Sequence, residues 1–346
     1  MKRPFQVLTI LLAVAMLTAS LAFWQLNHVL DSPLAVPENG AVFEIRPGTA
    51  LSTIGQELAG QGILANPEIF RWYAQLGGHA GSIHAGEYLI EYGTNSRELL
   101  DKFVSGDVQL YSFTIVPGWT YREMILALAE HPAIDHSFTV EDWPRLLESL
   151  MSTAMHPEGM FLPETFRFPK GSGDEDVLKQ SFELMQDTLD AEWKQRDEGL
   201  PFNDPYEALI LASIIEKETA RADERAKISG VFVRRLQKRM RLQTDPTVIY
   251  GIGESFNGNL TRRDLQTDTP YNTYTRAGLP PTPIALPGQA AIHAALHPAP
   301  GRELYFVATG LGDGSHKFSE TKEQHDAAVK EYLARQRAAR NKNQGQ

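Results

Sequence analysis

The sequence predicts an α+β protein: one membrane-crossing helix, a small strand–helix–helix–strand subdomain and a larger mixed α/β domain. Three observations carry this. After Lys2 and Arg3 no Asp, Glu, Lys or Arg occurs until Asp31. Strand-like alternation and helix-period stretches then follow one another, first over residues 42–108 and again further along. A chain of 346 residues with 42% hydrophobic and 22% charged content has the material for about two domains with real cores.

The elements follow in order. Residues 5–26 include the apolar run LTILLAVAML, and a span of about 20 such residues crosses a bilayer as a helix. Trp24 suits the outer interface, and Lys2 and Arg3 favour a cytoplasmic N-terminus, which places everything beyond residue 30 outside an inner (plasma) membrane, on the periplasmic side. The rival reading is a cleaved signal peptide: Ser20-Leu21-Ala22 is a small-x-small site, but Phe23 and Trp24 follow it awkwardly and the apolar run exceeds a usual signal core. Residues 31–41, with two prolines and a glycine, read as a linker. Residues 42–45 alternate as a strand, Pro47-Gly48-Thr49 turns, and residues 51–58 read as a helix. Asn66-Pro67 opens a second helix carrying Phe70, Trp72 and Tyr73, and residues 85–90 return as a strand. This order resembles the LysM carbohydrate-binding module. A partial echo follows: helix 96–104, strand 109–116, then Pro117-Gly118 and helix 121–129, as Pro47-Gly48 preceded the first helix. Residues 131–155 read as mixed, mainly helical.

Composition removes several function classes. A formal charge of -10 argues against nucleic acid as partner. With no cysteine there is no disulfide, thiolate metal site, thiol nucleophile or lipid-modified N-terminal cysteine.

The chemistry-bearing helix starts at Asp204-Pro205-Tyr206-Glu207, with N-cap, N1 and N3 signals together. Residues 208–215 (ALILASII) are apolar almost all round, so the helix should be buried. It then runs into Glu216-Lys217-Glu218-Thr219, where a carboxylate is costly unless satisfied or used. Ile215, Ile214 and Leu211 lie three, four and seven residues before Glu218; the same offsets before Glu216 give Ser213, Ala212 and Leu209. Glu218 thus extends the bulkier stripe, and desolvation there would raise its pKa toward that of a general acid. The alternative is an ion pair with Arg221 or Arg225. Further on, residues 241–251, 271–274 and 278–284 form stretches rich in Tyr, Asn, Thr and Pro, suited either to sugar binding or to a rigid loop. Residues 157–165 place Glu158 and Glu164 around an apolar turn. His293 and His297, four apart, have metal-ligand spacing, but there is no HExxH and no visible third ligand, so His297-Pro298 reads as a helix end and neither a metal nor another cofactor is expected. The basic run 234–241 reads as the solvated end of a helix, and the C-terminus as a fraying polar tail.

LASIIEKETA (211–220), RLQTDPTVIYG (241–251), YNTYTRAGLPPTPI (271–284), HPA (297–299), LYFVATG (304–310) and HKFSET (316–321), in this order, resemble the endolytic murein transglycosylases, the MltG or YceG-like family. The resemblance covers essentially the whole chain. EGMFLPET (158–165) departs from the family pattern in carrying Glu164 where Asp is common. The resemblance implies a lytic enzyme of peptidoglycan with Glu218 as its catalytic residue and no cofactor. It would leave a 1,6-anhydro end on N-acetylmuramic acid, ending nascent strands, with peptidoglycan synthases as partners. Glu158, Glu164, Gln243, Asp245, Tyr271, Asn272, Tyr274 and Ser319 are the expected substrate-binding residues. The expected layout is membrane helix 1–30, linker 31–41, LysM-like subdomain 42–108, connecting subdomain 109–156, catalytic domain 157–335 and tail 336–346. The alternative function is a non-catalytic LysM-like glycan-binding scaffold of the cell-wall synthesis machinery.

Overall fold

The computed structural model describes residues 2–152 and 154–344, and the chain divides into two compact units. The first reaches to residue 111 and takes in residues 167–171; the second is formed by the rest.

The first unit opens with α1 (Lys2–Asp31), whose segment Gln6–Asp31 has a mean hydropathy of 2.3 and is long and apolar enough to cross a membrane. Its side chains from Gln6 to Leu26 are exposed, and burial begins at its C-terminal end. Leu30 is enclosed, and Arg97 donates from Nε to Asp31 at 2.7 Å and from Nη2 to Asn27, with its guanidinium over the Tyr73 ring. Residues 32–40 then run along the unit, with Leu34 N–H donating to the Thr94 carbonyl and Ala35 N–H to that of Ile63. β1 (Ala41–Ile45), α2 (Leu51–Gly60), α3 (Pro67–Leu76) and β2 (Gly86–Ile90) give the strand–helix–helix–strand order that the periodicity suggests, with β1 and β2 antiparallel and Phe43 opposite Tyr88. α4 (Ser96–Ser105) closes the core under a complete capping box from Asn95 and Glu98. Phe43, Phe70 and Tyr88 all meet the ring of Phe103 there. β3 (Leu110–Thr114) leaves the unit.

The second unit contains α5 (Tyr121–Ala129), β4 (Ile134–Asp135), α6 (Trp143–Ser149), the first residues of β5 (Thr165–Pro169), β6 (Ser172–Gly173), α7 (Asp174–Gln195) and α8 (Pro205–Glu218). It continues through α9 (Ala222–Gln237), α10 (Asp245–Ile252), α11 (Arg262–Gln266), α12 (Gln289–Leu296), β7 (Tyr305–Ala308), β8 (His316–Ser319) and α13 (Lys322–Gln344). Its described strands form short two-stranded pairings, β4 with β6 in parallel and β7 with β8 antiparallel. The fold is therefore mixed α/β, with helices dominating. Of the mainly helical stretch expected over 131–155, the structure has α6, a 3-10 turn at Val140–Asp142 and the short β4; Thr153 lies outside the described residues.

α8 is the axis of this unit. Residues 208–215 are all buried, as their unbroken apolarity requires. Burying each of its large aliphatic side chains is worth about 1.5–3 kcal/mol. α8 packs chiefly on α12. The Asp204 side chain caps it by accepting from Glu207 N–H at 3.0 Å, while the Glu207 carboxylate reaches past the cap to Asn203 N–H at 2.7 Å. The basic run is the solvated helix end that its charge suggested only in part: Lys238, Arg239 and Arg241 are exposed, and Arg235 is not. Arg235 is buried, donating to the carbonyls of Leu304, Arg241 and Leu242 beneath the Tyr305 ring. A guanidinium with five donors can bind several loop carbonyls at once, which a solvated charge would not do. The expected tail continues α13 as helix to Gln344; Gly345 and Gln346 lie outside the described residues.

Candidate active site

α8 ends at Glu218, and the two glutamates of its last turn are held differently. Glu216 accepts from Gly288 N–H at 3.0 Å, at the start of α12, and lies 3.9 Å from Arg225. Arg221 turns instead to Asp223, at 2.8 Å. The two arginines that might have neutralised Glu218 are thus engaged by other carboxylates.

Glu218 is half-buried and accepts a hydrogen bond at Oε1 from the Thr244 hydroxyl. Among the described residues no donor reaches Oε2. Burial pushes its pKa above the usual carboxylate value. The Thr244 hydrogen bond opposes this, the charge of Asp245 adds to it and His316 opposes it. Thr244 is itself fixed. Its N–H donates to Thr273 Oγ1 at 3.1 Å, its carbonyl accepts from Thr247 Oγ1 at 2.8 Å, and the hydroxyls of Thr247 and Thr273 meet at 2.9 Å. All three threonines are buried. Immediately before them Gln243 has a φ of 54°, a left-handed conformation that is costly for a residue with a Cβ. His316 is oriented from behind: Glu224, buried, accepts from its backbone N–H at 3.0 Å and from Nδ1 at 2.7 Å. Because a carboxylate only accepts, Nδ1 carries the proton and Nε2 is left for other work.

A second buried carboxylate, Glu158, borders a cavity of about 1010 Å³ lined also by Tyr121, Trp143, His156, Lys217 and Tyr250. Tyr121 N–H donates to its Oε1 at 2.9 Å and the Tyr250 hydroxyl to its Oε2 at 3.0 Å. Burial pushes its pKa up to about 7, against the lowering effect of both donors. Gly159 explains the local turn: its φ is 80°, and a Cβ there would lie 2.5 Å from the Pro283 ring. The Tyr250 ring meets Tyr271 edge-on at 4.9 Å, and the Tyr271 hydroxyl pairs with Thr282 at 2.9 Å.

The expected site residues therefore separate. Asp245 and Tyr274 belong with Glu218, the Tyr274 hydroxyl donating to Asp245 at 2.6 Å. Gln243 is exposed beside them and contributes its backbone, N–H to the Thr273 carbonyl at 3.2 Å. Glu158 lines the cavity, and Tyr271 stands behind its wall against the Tyr250 ring. Asn272 is 1% exposed, its amide donating to the carbonyls of Asp264, Leu265 and Thr267 and its Oδ1 accepting from Tyr274 N–H. It is a loop clamp with its hydrogen-bonding capacity used internally. Ser319 is buried at the end of β8, where its carbonyl accepts from Leu304 N–H. Glu164 is exposed, bonded to Thr165 N–H and, through its carbonyl, to Ile115 N–H, with none of the other expected residues. Thr244, His316 and Tyr250 are the neighbours that reading the sequence missed. Thr244 lies 26 residues from Glu218 in the chain, and only its place inside RLQTDPTVIYG marked it.

A model of the YceG-like family matches residues 43–331. An endolytic murein transglycosylase of Bacillus subtilis (strain 168) is 29% identical over 311 residues, 84% of either chain. A protein of the same name from Streptococcus pneumoniae (strain D39) is 27% identical, the alignment covering 94% of this chain and 65% of that one. The crystal structure of a yceG-like protein from Listeria monocytogenes matches with a TM-score of 0.51 at 27% identity, over 84% of this chain and 99% of that one.

Proposed function

The chain belongs to the YceG-like family, and from that premise we propose that it is a membrane-anchored endolytic murein transglycosylase with Glu218 as its acid–base group. The observation that carries the assignment to Glu218 is the contrast within one helical turn. Glu216 is tied to Gly288 and Arg225, whereas Glu218 is desolvated, holds one hydrogen bond and keeps Oε2 open. Protonated Glu218 gives its proton to the oxygen of the β-1,4 bond between N-acetylmuramic acid and N-acetylglucosamine. The C1–O bond breaks as positive charge develops at C1. The carboxylate then takes the proton of the muramic 6-hydroxyl, whose oxygen bonds to C1, leaving a 1,6-anhydro end and a free 4-hydroxyl. One carboxyl group serves both steps because the substrate brings its own nucleophile, whereas an ordinary glycosidase uses two.

Asp245 supports a second reading. Its charge reaches Glu218, and a second carboxylate could direct water to C1. Its engagement by Tyr274 weighs against that role. Product analysis separates the two: full-length protein in detergent, given polymeric glycan, should yield 1,6-anhydro ends by mass spectrometry. Reducing ends would make it a hydrolase. Intact glycan would leave a glycan-binding scaffold, for which the strand–helix–helix–strand order of the first unit, like that of a LysM module, is the support.

We place the anchor at α1 with Lys2 and Arg3 on the cytoplasmic side and the body in the periplasm. Leu30 and Asp31 are docked directly on the first unit, which favours substrate close to the bilayer, where strands are made and where the synthases expected as partners work. We keep residues 157–335 as the segment that carries the cleavage.

A further inference from the structure

His293 and His297 lie four apart in the sequence, and the fold supplies the third ligand that spacing alone could not show. Glu192, near the end of α7, projects between them. Its Oε2 lies 2.8 Å from His293 Nδ1 and 3.8 Å from His297 Nε2, and one ligand atom from each residue falls within 4.8 Å of the others. Tetrahedral zinc, with bonds near 2.0–2.1 Å, sets its ligand atoms about 3.3 Å apart, a spacing that the two contacts bracket.

A further group points the same way. Asp197 Oδ1 sits 3.0 Å from His297 Nδ1. Since a carboxylate only accepts, Nδ1 carries the proton, and Nε2, the atom facing Glu192, is left with its lone pair; the same rule puts the proton of metal-free His293 on Nδ1, donating to Glu192, and a bound cation takes that proton's place. A carboxylate behind a histidine, fixing tautomer and ring orientation, is the usual support of a metal-bound imidazole. Asp197 is in turn held to α12, its N–H donating to the Leu296 carbonyl at 3.1 Å. The two imidazole rings lie 4.3 Å apart, inclined at 32°.

We propose that Glu192, His293 and His297 form a binding site for a divalent d-block cation of the zinc type, with Asp197 orienting His297. Two imidazoles and one carboxylate suit Zn²⁺ over Mg²⁺ or Ca²⁺, which take oxygen ligands. The fourth position is open to water. The site joins α7 to the C-terminal end of α12, while Glu216 holds the N-terminal end of α12 through Gly288. An eight-residue helix is about 12 Å long, so the cation sits one short helix away from the α8 turn that carries Glu218 and acts as a clamp on the helix packed against it.

The test uses tag-free, EDTA-stripped full-length protein in detergent. Titration with Zn²⁺ by calorimetry should show one tight equivalent per chain, Co²⁺ should give the intense visible bands of a tetrahedral site, and the melting temperature should rise with Zn²⁺ and stay unchanged with Mg²⁺. Glu192→Gln and the double variant His293→Ala/His297→Ala should lose all three signals, and Asp197→Asn should weaken Zn²⁺ binding about 10–100-fold. Circular dichroism of the metal-free variants verifies that they fold. Binding of equal strength in wild type and double variant would overturn the site, as would Zn²⁺ that neither binds nor raises the melting temperature of the wild type.

Discussion

The surroundings of Glu158 and Glu218 make a useful pair, because the second unit desolvates both carboxyls and then treats them in opposite ways. Glu158 has a donor on each oxygen, a backbone N–H at the start of α5 and the Tyr250 hydroxyl. Glu218 has one donor, a threonine hydroxyl, and an oxygen that no described residue claims. α10 stands between the two: Asp245 in its first turn bears on Glu218, and Tyr250 near its end bonds to Glu158. A raised pKa by itself thus does not pick out the acid–base group, since both have one. What distinguishes a working carboxyl from a structural one is how much of it the protein has left uncommitted.

The largest effect that would sharpen this contrast is on turnover. Glu218→Gln should lower the rate of glycan cleavage by about 10³-fold, the loss of a general acid–base group, with the melting temperature little changed. Glu216→Gln should do the reverse. It weakens the hold on Gly288 and Arg225, and should lower the melting temperature while retaining most of the activity. Equal loss of activity in both variants at full folding would break the distinction.

The next effect is on stability and belongs to Glu158. In the folded chain it holds its proton up to about pH 7, while in the unfolded chain it ionises near 4.5. The folded state therefore binds more protons between those values, and stability falls as pH rises through the window, by about 3 kcal/mol in all, then levels off. Glu158→Gln can keep both bonds, accepting from Tyr121 N–H and donating to the Tyr250 oxygen, yet has no proton to lose. Denaturation midpoints between pH 5 and 8 should fall less steeply for it than for the wild type; Glu218, shifted in the same direction, and His156 and His325, shifted the opposite way, contribute to the slope that remains. Parallel curves would show that Glu158 ionises in the fold as it does in water.

A smaller loss, about 2 kcal/mol, is expected for Asn272→Ala, which removes the amide nitrogen that three loop carbonyls share. Below its melting temperature the variant should keep the KM of the wild type; a raised KM with unchanged melting would return Asn272 to the sugar-binding set. The sequence leaves the role of Asn272 open for a physical reason. A Tyr–Asn–Thr loop has the groups that grip sugars and equally the groups that close a loop on itself, and composition carries no sign of which way an amide faces. Arg235 was misread for a like reason, its charge taken for solvent exposure when its guanidinium makes three hydrogen bonds to loop carbonyls. Local rules served better. The Asp204 cap, the Asn66-Pro67 start of α3, the all-apolar run of α8 and the strand order of the first unit are set within a few residues and were legible. The bulkier stripe leading to Glu218 was legible as well. The partners that give the stripe its chemistry were not: Thr244 lies 26 residues from Glu218, and Glu224, which orients His316, lies 92 residues from it. No periodicity spans such separations.

The finest test of the contrast is Thr244→Val. Valine has nearly the shape of threonine, and the bonds that fix residue 244 run through its backbone N–H and carbonyl, so the threonine cluster should stay assembled. Only the hydrogen bond to Glu218 is lost. That bond favours the ionised form, and its removal lets burial and the Asp245 charge raise the Glu218 pKa further. Below its pKa Glu218 is the acid the first step needs. The alkaline limb of kcat/KM against pH should therefore move upward, with the maximal rate changed less than tenfold. The same substitution should leave the pH dependence of stability assigned to Glu158 in place. A downward shift would mean that the Thr244 hydroxyl holds the protonated form of Glu218 and not its carboxylate. An unmoved limb would mean that the group titrating in catalysis is not the one Thr244 touches, and Glu158, with its own pKa near 7 and its place on the cavity wall, would become the residue to test.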